Sequence, residues 1–249
     1  MIIGDQMSRI LMISDIHGCI KPFNELLDAV NYIPTEDKLI LLGDYVDRGP
    51  QSKETVERVK ELVQNYNVVA LRGNHDQRLV DLIRTDGEEV QTKFFEYGGM
   101  QTLQSYCPFM TDDCNEELIK QAKEYVREHF NTHIAFLESL PLYHEDLYHI
   151  YVHAGLNPNY TNWREQPDYD FMYIKEEFHQ SKPFTEKLII FGHTRTIELH
   201  DSPDIWFGQG KIGIDGGCAY GMQLNCLIYD DGHYYTVDIK NHHLKQFSV

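Results

Sequence analysis

The chain is short of cationic side chains: 22 lysines and arginines stand against 39 aspartates and glutamates over 249 residues, a formal net charge of −17. That deficit argues against a nucleic-acid polymer or an anionic membrane as partner, since either needs a basic face. Bound cations would offset part of it and would also draw anionic substrates locally. Cysteine is scarce too. The five thiols (Cys19, Cys107, Cys114, Cys218, Cys226) are odd in number and scattered, and no C-x-x-C occurs. A disulfide framework or thiolate zinc site is therefore not expected, and a reducing cytoplasm fits. No apolar run is long enough to span a bilayer, and the amino end lacks the basic-then-apolar order of a signal peptide. A cytoplasmic protein is the expectation. Met7-Ser8 stands just before the first strand-like run, so Met1 to Gln6 read as a dispensable extension. Repeats, low-complexity tracts and Pro/Ser-rich linkers are missing as well. The chain reads as one mixed α/β domain with ample length for a core.

What is present is organised around Leu39-Ile-Leu-Leu-Gly-Asp44-Tyr-Val-Asp47-Arg48-Gly-Pro50. Four aliphatic residues in a row read as a strand buried on both faces. Gly43 lets the backbone turn, and Asp44 follows at the strand's carboxyl end, where open α/β sheets place their chemistry. The same pattern recurs. Arg9 to Ser14 stops at Asp15-Ile-His17-Gly18, and Asn67 to Leu71 stops at Arg72-Gly73-Asn74-His75-Asp76. Tyr148 to Val152 stops at His153-Ala-Gly155, and Lys187 to Phe191 stops at Gly192-His193-Thr194. Helices are expected between the early strands. One begins at Pro22, with Phe23, Leu26, Leu27 and Val30 on one face, and another spans Lys53 to Tyr66 with Ser52 as N-cap. Leu79 to Ser139 reads as mostly helical, broken at Tyr97-Gly98-Gly99 and around Cys107-Pro108. Lys211 to Ile214 reads as a further strand, and Asn225 to Tyr229 with Tyr234 to Ile239 as a closing hairpin.

A single histidine after a strand is ordinary, and a Gly-Asp pair is usually a turn. Five strand ends each carrying a metal-type ligand are harder to dismiss: Asp15 with His17, Asp44, Asn74, His153 and His193. Carboxylate, imidazole and amide oxygen suit divalent manganese, iron or zinc better than an all-oxygen calcium cage. Six ligands exceed one open site and fit two ions sharing a carboxylate. Such a pair holds a hydroxide and polarises a phosphoryl oxygen, the chemistry of phosphoester hydrolysis by direct attack.

Taken in order, Asp15-x-His17-Gly, Gly-Asp44-x-x-Asp47-Arg48-Gly, Gly-Asn74-His75-Asp, His153-Ala-Gly and Gly-His193-Thr resemble the metallophosphoesterases of the PPP phosphatase family. The resemblance runs from Asp15 to about Gly217. It implies a four-layer α-β-β-α sandwich of two mixed sheets with flanking helices. Residues 1–249 would form a single calcineurin-like domain with a helical insertion at about 79–140. It implies two divalent ions, manganese first, with iron, zinc, cobalt or nickel as alternatives. Asp15, His17 and Asp44 would hold the first ion, Asp44 would bridge, and Asn74, His153 and His193 would complete the second. His75 would protonate the leaving oxygen, oriented by Asp47. Arg48 and Arg72 would clamp the phosphate. His75 as a mere orienter of a ligand, and Arg72 as a surface residue, are the bland readings. Asp76 is similar to the bacterial and dinucleotide-hydrolysing branches and receives no role.

The chain departs from the pattern in places. Bacterial relatives often carry a Trp-x-Arg segment whose arginine is a second phosphate clamp. Here Phe171-Met-Tyr173-Ile-Lys175 puts a lysine there, with Arg164 nearby as a substitute. Gly192-His193-Thr194-Arg195 lacks the second histidine of Gly-His-x-His nucleases, which favours the PPP branch. His129 and His133 lack the glutamate of a zinc protease between them and read as a solvated helix face; His242-His243 reads as a polar tail. The leading expectation is a phosphatase of phosphomonoesters, phosphoserine or phosphothreonine proteins first, then phosphotyrosine. The alternative is a hydrolase of dinucleoside polyphosphates such as diadenosine tetraphosphate. Symmetrical dinucleotide-cleaving relatives commonly carry alanine where Asp47 stands, which tips the balance to phosphoproteins. A pseudoenzyme would show losses among the ligands, and none is lost.

Overall fold

In the computed structural model, residues 9–241 are described; Met1 to Gln6 and His242-His243 lie outside them. The strands are β1 (Ile10–Ile13), β2 (Lys38–Leu41), β3 (Val68–Ala70), β4 (Tyr143–Glu145), β5 (His149–Val152), β6 (Leu188–Phe191), β7 (Trp206–Gly208), β8 (Lys211–Gly213), β9 (Gln223–Asp230) and β10 (His233–Lys240). They form two mixed five-stranded sheets, in the orders β10-β9-β1-β2-β3 and β4-β5-β6-β8-β7. Within the first sheet β1, β2 and β3 run parallel, as do β5, β6 and β8 in the second. Their carboxyl ends therefore gather at one edge of each sheet. β4 and β7 are short antiparallel edge strands that the sequence pattern did not announce.

The helices are α1 (Ile20–Ala29), α2 (Ser52–Asn65), α3 (Asn74–Arg84), α4 (Glu88–Glu96), α5 (Gly99–Tyr106), α6 (Glu116–His129), α7 (Asn131–Ser139), α8 (Asp168–Tyr173), α9 (Glu176–His179) and α10 (Ile197–His200). Strand alternation sorts the core into layers. Leu11, Ile13, Leu39 and Leu41 face a cluster shared with residues of α1 to α7. Ile10, Met12, Ile40 and Leu42 face the opposite way and meet Tyr151, Ile190 and Ile212 of the second sheet. Ile150, Val152, Ile189 and Phe191 turn outward onto Phe171 and Phe178. Helix, sheet, sheet, helix is the resulting stack, and it explains why the strands read as unbroken apolar runs.

Two local expectations need correcting. α2 begins at Ser52 itself, with Gln51 at the N-cap and no side-chain cap. The Ser52 hydroxyl is spent elsewhere, accepting from the Asp47 backbone N–H at 3.2 Å and touching Thr102 at 3.0 Å. His129 and His133 do not share a helix face, because α6 ends at His129 and α7 carries a buried His133, hydrogen-bonded to Tyr106 at 3.2 Å. No helix among the described residues is long and apolar enough to cross a membrane.

Candidate metal centre and substrate cleft

Each ligand-bearing residue is delivered by a strand that stops. Asp15 and His17 follow β1, Asp44 follows β2, His153 follows β5 and His193 follows β6; Asn74 opens α3 after β3. The stops are tight. Of nine non-glycine residues with positive φ among the described residues, six are Asp15, His17, Asp44, Asp47, Arg48 and His193. Such backbone costs on the order of 1–3 kcal/mol per residue and persists only where surrounding structure holds it. Gly192 shows the crowding: a Cβ there would collide with the Ser14 hydroxyl and the Asp15 carboxylate.

Asp44 lies at the middle. Its Oδ2 is 3.5 Å from His17 Nε2 on one side and 3.4 Å from His153 Nε2 on the other. Its Oδ1 accepts from the His75 backbone N–H at 2.9 Å. The imidazoles are aimed by their other nitrogens: His17 Nδ1 donates to Val46 O at 2.7 Å and His153 Nδ1 to Leu42 O at 2.8 Å. Nε2 of each ring is thereby turned inward, the arrangement that orients metal-ligating histidines. Asp15 Oδ2 accepts from the His193 N–H at 3.0 Å and from the Ser14 hydroxyl, leaving Oδ1 facing His17 Nε2 at 3.9 Å. Ligand atoms of His17, Asp44 and His75 lie within 4.8 Å of one another, as do those of Asp44, His153 and His193.

The charge balance shows what the pocket fits. Asp15, Asp44, Asp47, Asp76 and Asp215 are each no more than 5% exposed. Burial pushes Asp15 up to about 6 and Asp76 up to about 7, and holds Asp47 and Asp215 well above the carboxylate range. Buried anions of this density call for cations. At Asp44 burial acts in the same direction, but His153 and His75 outweigh it and hold the carboxyl well below its usual value. Burial would lower His153, yet the Asp44 carboxylate 3.4 Å away outweighs it and raises the ring to about 9. The Asn74 amide reaches His153 Nε2 at 3.0 Å and His193 Nδ1 at 2.9 Å. With Oδ1 turned to them, three metal-type donor atoms converge on one point. With Nδ2 turned to them, the amide donates to both rings and Oδ1 accepts from Arg78 at 2.9 Å. The donor set fits a pair of divalent cations of the manganese, iron or zinc type.

His75 stands beside this centre. Its Nε2 faces two guanidinium donors, Arg48 at 2.8 Å and Arg78 at 3.1 Å. That nitrogen therefore accepts, and the ring proton sits on Nδ1, donated to Asp47 Oδ2 at 2.6 Å. Burial lowers the His75 pKa well below the usual imidazole value, in keeping with a neutral ring. Asp47 is itself fixed by Thr102, whose hydroxyl donates to Oδ1 at 2.7 Å. Asp76, to which the sequence reading gave no role, accepts from the backbone N–H groups of Asp44, Tyr45 and Gly73 at 2.8, 2.9 and 2.9 Å. It ties the β2 and β3 loops together beside the Asp44 carboxylate.

The cleft above the centre, about 350 Å³, has a rim unlike the one expected. Arg72 is not part of it: its guanidinium donates to the Glu138 carbonyl at 2.9 Å, behind the cleft. Arg78 occupies the rim instead, together with Arg48, Lys175 and Arg195. Residues 74 and 78 are one helical turn apart, so α3 presents both on one face. A helix begun at Asn74 rather than Leu79 would have revealed it. Arg164 is committed to Glu145 and lies over the Trp163 ring at 4.2 Å, outside the cleft that Lys175 lines. Tyr97, Tyr173, Tyr220 and Glu198 also line the cleft; Tyr173 falls in the segment matched to Trp-x-Arg, and no motif in the sequence points to Tyr97 or Tyr220.

The calcineurin-like phosphoesterase family model matches residues 8–212. A bis(5'-nucleosyl)-tetraphosphatase PrpE, asymmetrical, of Anoxybacillus flavithermus is 27% identical, over 88% of this chain and 90% of its own. A symmetrical bis(5'-nucleosyl)-tetraphosphatase of Escherichia coli is 26% identical, over 93% of this chain and 95% of its own. Among solved structures, a proposed diadenosine tetraphosphatase superposes with TM-score 0.58 at 21% identity, covering 93% of both chains. A protein serine/threonine phosphatase of Saccharomyces cerevisiae superposes with TM-score 0.57 at 17% identity, over 96% of this chain and 81% of that one. The chain belongs to the calcineurin-like phosphoesterase family and is a metal-dependent hydrolase of phosphoric esters.

Proposed function

We propose that this chain hydrolyses dinucleoside polyphosphates of the diadenosine tetraphosphate type. The observation that carries the reading is the cleft, where Arg48, Arg78, Lys175 and Arg195 converge on a chain of net charge −17. Four cations, of which Arg195 is paired with Glu198 at 2.8 Å, exceed what one phosphoryl group needs and suit the charge of a polyphosphate. The relatives named for that reaction, similar over most of their length, support it. The order of the two readings thus reverses. Phosphoproteins came first from sequence, but the protein phosphatases are similar at 17% identity in fold, and fold alone carries no substrate.

In this reading Asp15, His17 and Asp44 hold one divalent cation and Asp44, Asn74, His153 and His193 the other, manganese being the first choice. Bound there, the pair supplies Lewis-acid polarisation of a phosphoryl oxygen and a more acidic attacking water. The chain's own groups do the rest. The polyphosphate draws Arg48 and Arg78 off His75 Nε2 onto its oxygens. Nε2, freed of both donors and beside the phosphate anion, takes up a proton from solvent and passes it to the leaving oxygen, which returns the ring to its neutral form. Asp47 keeps Nδ1 protonated and the ring in place. All five cysteines are free, as a reducing cytoplasm would keep them. A phosphoprotein substrate stays as the second reading because Asp47, which the family pattern links to protein phosphatases, is present and bonded to His75.

The test is a side-by-side rate comparison with added manganese on diadenosine tetraphosphate and on phosphoserine, phosphothreonine and phosphotyrosine peptides. A preference of about 100-fold in kcat/KM for the dinucleotide, about 2.7 kcal/mol of transition-state binding, is expected. Equal rates or a preference for a peptide would return the phosphoprotein reading to first place.

A further inference from the structure

A second groove of about 430 Å³ adjoins the catalytic cleft, and Arg78, Tyr97 and Tyr173 line both. These three side chains form the partition. The Arg78 guanidinium lies 4.1 Å from the Tyr97 ring and 5.4 Å from the Tyr173 ring. Both rings reach back to the centre, Tyr97 at 6.4 Å from the His75 ring and Tyr173 at 6.3 Å from the His193 ring. Tyr169 continues the wall outward, stacked on Tyr173 at 4.4 Å and 11°. Tyr169 is 64% exposed and Tyr97 42% exposed. The Glu89–Lys93 ion pair and Asp81 line the same groove.

We infer that this groove is the subsite for one nucleoside of the substrate, its base stacking on the Tyr97 and Tyr169 faces while Arg78 holds the adjoining phosphate. Flat aromatic faces next to a guanidinium, one ring away from the phosphoryl site, match a base linked through phosphate. The volume lies within the range of about 300–1,000 Å³ typical of small-ligand sites. The Asp81 and Glu89 carboxylates that line the groove offer acceptors to ribose hydroxyls. The assignment rests on the dinucleotide reading and names the residues that would give it specificity.

The experiment measures kcat/KM on diadenosine tetraphosphate, on p-nitrophenyl phosphate and on a phosphotyrosine peptide for the wild type, Tyr169→Ala and Tyr169→Phe. Tyr169 is exposed at a helix surface and lies outside the catalytic cleft, so both variants should fold, and circular dichroism checks that they do. In Tyr169→Ala the ratio of dinucleotide to p-nitrophenyl phosphate rates should fall about tenfold, mainly through KM, the low end of a lost base stack. Tyr169→Phe should keep the wild-type ratio. An unchanged ratio in Tyr169→Ala, in a wild type that does hydrolyse the dinucleotide, overturns the subsite and leaves the proposed activity standing. A loss confined to the phosphotyrosine peptide overturns it in favour of a peptide aromatic in the groove. A wild type with no dinucleotide hydrolysis overturns both.

Discussion

The candidate metal centre is the floor: Asp15, His17, Asp44, Asn74 and His153 are each no more than 2% exposed, and backbone groups hold His17, Asp44 and His153. On the rim, Arg78, Arg195, Lys175 and Tyr97 come from helices or the turns beside them, and several have rival partners. Arg195 pairs with Glu198 at 2.8 Å and lies over Tyr220 at 4.3 Å. Arg78 shares its guanidinium between His75 and two tyrosines. The floor is fixed by strands that cannot move without breaking both sheets. The rim is set by side chains that can be recruited. Chemistry common to a family belongs on the first, and choice of substrate on the second.

Substitutions separate the two in order of size. Asp44→Asn should cost more than roughly 10³-fold in kcat on every substrate, beyond the 10- to 100-fold typical of groups that merely support ligands. A smaller loss would mean that the carboxylate is not shared. His75→Asn should cost about 10²- to 10⁴-fold on a phosphoserine peptide, whose alkoxide leaving group must be protonated, and less on p-nitrophenyl phosphate, whose leaving group, like a nucleotide phosphate, needs little protonation. Equal losses on both substrates would assign His75 to positioning alone. Arg78→Ala should lower kcat/KM on the dinucleotide by roughly 10- to 100-fold, the worth of a charge-assisted hydrogen bond. Arg72→Ala should change it by less than about twofold, as for an exposed polar contact; the reverse outcome would place Arg72 on the phosphate after all. At the small end, Lys175→Ala should cost a few-fold, and Arg164→Ala should leave kcat/KM untouched, its guanidinium being held by Glu145.

How much of this was legible in the residues follows the same division. The strands and the six candidate ligands could be read because each rests on a local pattern, an aliphatic run that stops in a metal-type side chain. The two-sheet sandwich, and Asp44 as the proposed bridge, came only through the family resemblance. The edge strands β4 and β7 were missed because three residues carry too little periodicity to count. Arg72 was misplaced because adjacency in sequence to Asn74 says nothing of direction. It precedes α3 and turns towards Glu138, whereas Arg78 sits one turn along the helix. Thr102, which fixes Asp47 from α5, is brought to it by packing across 55 residues of chain, and nothing local announces it; Ser52 is only five residues from Asp47 but reads as a helix cap. Asp76 passed for a family marker because its three partners are backbone N–H groups, which leave no trace in residue identity.

The most direct measurement is the number of divalent cations bound per chain, from calorimetric titration of manganese into chelator-treated protein, for the wild type and for Asp44→Asn. Because Asp44 Oδ2 stands 3.5 Å from His17 and 3.4 Å from His153, two equivalents are expected in the wild type, with weakened binding at both in the variant. One equivalent in the wild type, or two tightly held in Asp44→Asn, would contradict a centre built on a shared carboxylate.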